Sequence, residues 1–236
     1  MTSWDQLLMS ARRGDAGPLR HARRAWRTLL DLRLPVIRPL AAVLYAEWSL
    51  RRTLWPLLLK ILYREPLLRY RCDHVGRRLR LGGALPLMMG NGRILIGDDV
   101  TIDPRNTWVV GFKVSTDAVL EIGNRVFIGY QTTISVAKRV RIGDGTMIAG
   151  NVQIFDNISH PLSPARRLRG ESFTLDEANP VIIGANVWIG GGAIVTRGVT
   201  IGENSVVGAG SVVTRSVPAN TLIAGNPAVV IKSIAD

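Results

Sequence analysis

From Val181 onward the aliphatic residues fall at every sixth place: Ile183, Ile189, Val195, Ile201, Val207 and Val213. Two places before each of the later ones stands a small or β-branched residue, namely Val187, Ala193, Val199, Ser205 and Ser211. A period of six fits neither the alternation of a half-exposed strand nor the turn of a helix. It fits a chain that runs straight, turns by a third of a circle and repeats, so that three hexads close one triangular coil of 18 residues. Successive coils then stack about 4.8 Å apart through parallel hydrogen bonding. The aliphatic residue fills the interior and the small one fits beside the corner. Glycines such as Gly184 and Gly202 relieve the backbone at the turns. The pattern predicts a mainly β fold, a parallel β-helix.

Upstream the same period is readable with interruptions. The β-helix is expected to start between Leu79 and Ile96, with clear hexads at Ile96 and Ile102 and a weakening over Trp108–Asp117. Ile122, Ile128 and Ile134 form one coil, and Ile142, Ile148 and Ile154 another. The step from Ile122 to Ile142 is 20 residues, which predicts a two-residue insertion near Lys138–Arg141. After Ile154 the period stops at FDNISHPL, and SPARRLRGESFTLDEANP intervenes before Ile183. A long loop on a rigid scaffold is where function concentrates.

Residues 36–69 read as a helix interrupted near Pro56. On a helical wheel Arg38, Ser49, Arg52, Thr53, Lys60 and Arg64 share one broad side, while Leu, Ile, Val and Trp dominate elsewhere. Glu47, Arg51 and Glu65 spoil a clean stripe. The longest charge-free runs, Pro39–Ala46 and Thr53–Leu59, fall far short of the ~20 residues that span a bilayer. Residues 1–30 are Arg-rich and either frayed or helical. The expected division is a basic helical extension over 1–78 and a β-helix domain over 79–236.

Charge sharpens that division. Residues 1–80 hold 17 Lys and Arg against 6 Asp and Glu, a net of +11, whereas residues 81–236 hold 13 against 12. Cys72 is the single cysteine, so no intrachain disulfide is possible. The first 25 residues contain no apolar core of a secretory signal. Basic residues interleaved with Leu and Trp, together with four of the six tryptophans in residues 1–80, suit an interfacial anchor on an anionic membrane. The competing reading is a cap on the open end of the β-helix. No nucleic-acid-binding motif accompanies the charge. The expected location is cytoplasmic, peripheral at the inner face of the membrane.

His160 is the only histidine in the β-helical part, and it stands where the repeat breaks, in NVQIFDNISHPL. Together with the hexads, this segment resembles the hexapeptide-repeat acyltransferases, and most closely their maltose, galactoside and nodulation-factor O-acetyltransferase branch. The resemblance implies a left-handed winding, a homotrimer, acetyl-CoA as acyl donor and His160 as general base. An imidazole titrating near ~6.5 can take the proton of a sugar hydroxyl as it attacks. By the same resemblance Glu171, in its Gly-Glu context, would orient His160, with Asp156 competing for that role. WIGGG would put Gly191 beside the thioester. GAGSVVTR would put Ala209, Thr214 and Arg215 along the pantetheine arm, and NPAVVIK would put Lys232 near the phosphates.

On the acceptor side Gln131, Asn151 and Asp156 are the candidate contacts, in a pocket made more basic by Lys138 and Arg139. The expected reaction is acetyl transfer to a hydroxyl of an exopolysaccharide or lipid-linked glycan. N-acylation of an amino sugar or drug, or a non-catalytic β-helix serving assembly, are the alternatives. A metal-dependent hydratase needs about three histidines around its ion. One histidine in the helix speaks against it, and no metal is expected.

Overall fold

A computed structural model describes residues 17–31 and 36–234. Expectations for residues 1–16 and 32–35 lie outside the described residues. The coils follow one another in chain order. The first holds β1 (His74–Val75), β2 (Arg80–Leu81) and β3 (Leu87–Met89), and the second β4 (Arg93–Ile96), β5 (Thr101–Ile102) and β6 (Thr107–Val110). The third holds β7 (Val119–Ile122), β8 (Phe127–Ile128) and β9 (Thr133–Val136), and the fourth β10 (Arg139–Ile142), β11 (Met147–Ile148) and β12 (Gln153–Phe155). The fifth holds β13 (Val181–Ile183), β14 (Trp188–Ile189) and β15 (Ile194–Val195). The sixth holds β16 (Thr200–Ile201), β17 (Val206–Val207) and β18 (Val212–Val213). A hairpin of β19 (Thr221–Gly225) and β20 (Ala228–Ser233) ends the fold, β19 adding in parallel to β17.

The first strands of all coils stack into one sheet, the second strands into another and the third into a last one, closing a left-handed parallel β-helix. The register states the period directly: Ile183 pairs with Ile201 and Ile189 with Val207, 18 residues apart. The hexad residues Ile96, Ile102, Ile122, Ile128, Ile134, Ile142, Ile148 and Ile154 are all buried, and so are Val195, Val207 and Val213 with their small partners Ala193, Ser205 and Ser211. Trp108 keeps the six-residue step after Ile102 and is fully buried. The period therefore breaks later than the weakening at Trp108 suggests, over the eight residues between Val110 and Val119 that stretch the Ile96–Ile122 step to 26.

The helix opens at His74, ahead of the expected start at Leu79, so His160 is not the only histidine it holds. Its first coil is hard to read because the inward residues Val75, Leu81 and Met88 are spaced six and then seven apart and are only partly buried. The helix that precedes it packs against the same core. Leu68, in α3 (Glu65–Arg71; α1 is Gly17–Leu30 and α2 Arg38–Leu59), joins the core with Cys72. Arg69 donates to the carbonyls of Val75 and Gly76, and Arg71 to those of Gly90 and Gly92. Carbonyls of the first coil thus find donors in side chains. Burial pushes the Cys72 thiol up to about 12, which leaves it unreactive.

Pro56 does not interrupt its helix. The α2 helix runs through it to Leu59, and the irregularity falls just after, as a π turn over Lys60–Arg64. A proline lacks the N–H for its own bond and crowds the carbonyl one turn back, and just beyond it the helix widens to a π turn in which the Glu65 N–H reaches the Lys60 carbonyl.

Candidate active site

The repeat breaks at Phe155, and the residues that follow build the site. Asp156 is completely buried, and its carboxylate accepts the N–H groups of Ala137, Lys138 and Arg139 at 2.7, 2.6 and 2.8 Å. Ala137 and Lys138 are the two inserted residues between β9 and β10, and Arg139 opens β10. Asn157 also donates to Asp156, at 2.9 Å. Burial pushes the Asp156 carboxyl up, against the opposing pull of those hydrogen bonds. Asp156 is therefore a corner anchor with its oxygens engaged, which corrects its expected place on the acceptor side or beside the histidine.

Asn157 carries the anchoring forward. Its side chain donates to the carbonyl and hydroxyl of Ser135 and accepts the N–H of Ser159 at 3.0 Å. Ser159 has φ +61°, and the N–H of His160 reaches back to the carbonyl of Ile158 at 2.6 Å. A hydrogen bond across a single residue with positive φ is a γ-turn, a rare and strained arrangement. It lifts His160 off the end of the third sheet. The His160 side chain is exposed, and its imidazole makes no hydrogen bond among the described residues.

His160 opens onto a cavity of about 500 Å³. The cavity floor is the third sheet, through Thr133, Ser135 and Phe155; one wall is the loop from Ser159 to Phe173, and the other is Phe112, Lys113 and Val114. The loop is held by its own charges. Arg166 binds Glu171, Glu177 and the Ser172 carbonyl, and Arg167, which lines the cavity, donates to the carbonyls of Pro161 and Leu162. Glu171 shares the cavity with His160 as expected, but its oxygens are taken by Arg169 at 2.7 Å and Arg166 at 3.1 Å. Arg169, and after it Arg166, hold its carboxyl below the usual range.

The other expected site residues divide between two corners. Gln131 and Asn151 occupy the positive-φ position where the second sheet turns into the third, stacked with Gly192 and Gly210 of later coils. Gly191 and Ala209 lie on the same corner, and neither they nor Gln131 and Asn151 line the cavity. In the run Gly190–Ala193 only the Gly191 N–H is unbonded among the described residues. Thr214 lies across the third sheet, at the opposite corner, in a hollow of about 530 Å³ with Asn157, Ile158 and Arg197; Arg215 follows it, exposed. Lys232 sits on β20, opposite Leu222.

The basic residues of the cavity are Lys113 and Arg167, not Lys138 and Arg139: Arg139 pairs with Glu121, and the Lys138 backbone serves Asp156. Phe112, Lys113 and Phe173 went unread in the sequence. The 26-residue step from Ile96 to Ile122 was the available signal for the first two. Among the described residues no group of His, Cys, Asp and Glu is arranged to hold a metal ion.

Residues 180–215 match the family model described as the hexapeptide repeat of succinyl-transferase. The chain is 42% identical to nodulation protein L of Rhizobium meliloti (strain 1021) over 144 residues, 61% of this chain and 73% of that protein. It is 40% identical to the galactoside O-acetyltransferase of Escherichia coli (strain K12) over 134 residues, 56% of this chain and 63% of the relative. Among solved structures, a maltose O-acetyltransferase from Clostridium difficile 630 aligns with a TM-score of 0.51 at 32% identity, covering 73% of this chain and 75% of that one.

Proposed function

The chain belongs to the hexapeptide-repeat acyltransferase family, and on that footing we propose that it moves an acetyl group from acetyl-CoA to a hydroxyl of a glycan, with His160 as general base. The observation that carries this reading is the exposed, unengaged His160 imidazole at the mouth of a cavity of about 500 Å³, a size suited to a small ligand. His160 takes the acceptor proton as the oxygen attacks the thioester carbonyl carbon. An ester C–O bond forms, the C–S bond breaks, and the proton passes from His160 to the departing thiolate. The names of the galactoside and maltose enzymes favour oxygen over nitrogen as the acceptor atom.

Lys113 and Arg167 in the cavity wall suit an acceptor that carries a carboxylate or phosphate. Glu171 acts on His160 indirectly, by fixing the arginines of the loop. For the donor, Gly191 lies beside the thioester, where its free N–H meets the developing oxyanion. Ala209, Thr214 and Arg215 follow the pantetheine arm, and Lys232 meets the phosphates. These groups stand at two corners of one chain. A homotrimer resolves that separation, setting the Gly191 corner of one subunit against the cavity side of the next.

Labelled acetyl-CoA offered with neutral, acidic and amino sugars tests the reading. We expect label in a base-labile ester on an acidic glycan, and loss of transfer in His160→Ala. Label in a base-stable amide would reassign the chemistry to nitrogen, and no transfer to any sugar would remove the glycan. Light scattering should give a trimer; a fully active monomer would sink the shared donor groove.

A further inference from the structure

The helix before the β-helix contributes no residue to the cavity around His160. Along α2 and the π turn after it, the large apolar residues face outward: Leu50 is 60% exposed, Trp55 61% and Leu62 73%, with Leu40, Val43, Leu44, Trp48, Leu54, Leu58 and Ile61 also exposed. Around the π turn, Lys60 and Arg64 are half-buried while Ile61 and Leu62 are exposed. Exposed apolar surface on this scale marks a surface that meets something else.

Three observations identify the occupant. The charges that intrude on the apolar side, Glu47 and Arg51, pair with each other at 2.9 Å, so that side is locally neutral. Arg52 lies over the Trp48 ring, 5.1 Å from its centroid, and Tyr45 packs on the same indole at 5.5 Å. That arrangement stacks a cation above an aromatic that favours the water–lipid boundary. Finally, the first 80 residues carry a net +11, which complements a negatively charged surface rather than a second copy of the same basic segment. No described helix is long and apolar enough to cross a membrane. Exposed Trp and Leu interleaved with basic residues suit a helix that lies along the boundary.

We propose that Arg38–Tyr63 lies in the plane of an anionic phospholipid surface, with Trp48, Trp55, Leu58 and Leu62 entering the acyl boundary and the arginines meeting the headgroups. The enzyme then works beside a membrane, within reach of acceptors displayed there. The inference rests on the exposed helix and its charge, and it stands whether or not the acceptor is a glycan.

Flotation of the full-length chain with vesicles tests it, without acetyl-CoA present. The protein should float with vesicles of equal parts phosphatidylcholine and phosphatidylglycerol, float far less with phosphatidylcholine alone, and leave the anionic vesicles as salt rises. The triple variant Trp48→Glu, Trp55→Glu, Leu58→Glu should stay at the bottom while melting like the parent and acetylating a soluble acceptor equally well. Failure of the parent to float overturns the proposal, as does equal flotation of parent and variant. So does a smaller particle for the variant in light scattering, which would show that copies of this chain cover the face.

Discussion

Two stretches of the same β-helix behave differently. Between Val181 and Val213 the chain makes two regular coils with the 18-residue register and little else. Between Arg93 and Pro180 the scaffold continues, but the steps from Ile96 to Ile122, to Ile142 and to Ile183 are 26, 20 and 41 residues. All three excess lengths leave at the same corner, after the third-sheet strands β6, β9 and β12. Because the coils stack in register, the insertions arrive one above another. Each lines the same cavity: Phe112 to Val114 from the first, Ala137 from the second, and Asn157 to Phe173 from the third. The regular coils supply a rigid ladder, and the site is what three adjacent irregularities make together.

The strongest test of that contrast separates chemistry from scaffold at one residue. His160→Ala removes an exposed side chain that makes no hydrogen bond among the described residues, so the unfolding midpoint should stay with the parent. Turnover should fall by at least ~10²-fold, the lower end of what a positioned base contributes. Near-parental turnover would take His160 out of the reaction. In the regular stretch the opposite signature is expected. Ile189 is fully buried, and Ile189→Ala should lower stability by about 2–5 kcal/mol in denaturant titration, with folded protein retaining most of its turnover. A loss under about 1 kcal/mol would mean that the triangular core collapses around the gap.

What was legible in the sequence follows the same contrast. The hexads announce themselves because each inward position admits one kind of residue, and every one from Ile96 to Val213 is buried. His160 was legible as a candidate because it stands at a break in that pattern, in a segment that resembles the family's. Its surroundings were not, since they depend on which residues stacking brings together. Nothing in the spacing of Asp156 and Ala137, 19 residues apart, says that one carboxylate holds the other's N–H. Glu171 is expected beside the histidine by resemblance, in its Gly-Glu context, but PARRLRGE also puts arginines near it, and both of its oxygens pair with them. The first coil escaped for a different reason: its inward residues Val75, Leu81 and Met88 are only partly buried and do not keep the period.

Asp156 gives a test of intermediate size, at the join between ladder and site. In Asp156→Asn one acceptor oxygen becomes a donor facing N–H groups of residues 137–139. At least one buried donor then loses its partner, which costs about 1–3 kcal/mol. Turnover should drop as well, because Asn157 and Ser159 lean on the same anchor to set His160. A variant that loses stability with no change in turnover per folded molecule would confine Asp156 to the corner.

The smallest effect is expected at the cavity wall, where Lys113 stands in the first insertion with its ammonium 5.1 Å from the centre of the Phe112 ring. The residue is exposed and far from the stacked core, so Lys113→Ala should leave the unfolding midpoint unchanged. An exposed cation interacting with an acceptor charge contributes little, of the order of 1 kcal/mol or less. The change should therefore appear as a rise of a few-fold in KM for an acidic glycan, with kcat held because the base is untouched. Added salt should shrink the gap between parent and variant, since it screens the interaction the parent alone retains. A neutral glycan of the same size should show no difference. If KM for neutral and acidic acceptors rises equally, Lys113 shapes the wall without reading charge, and the first insertion contributes bulk to the site but no selectivity.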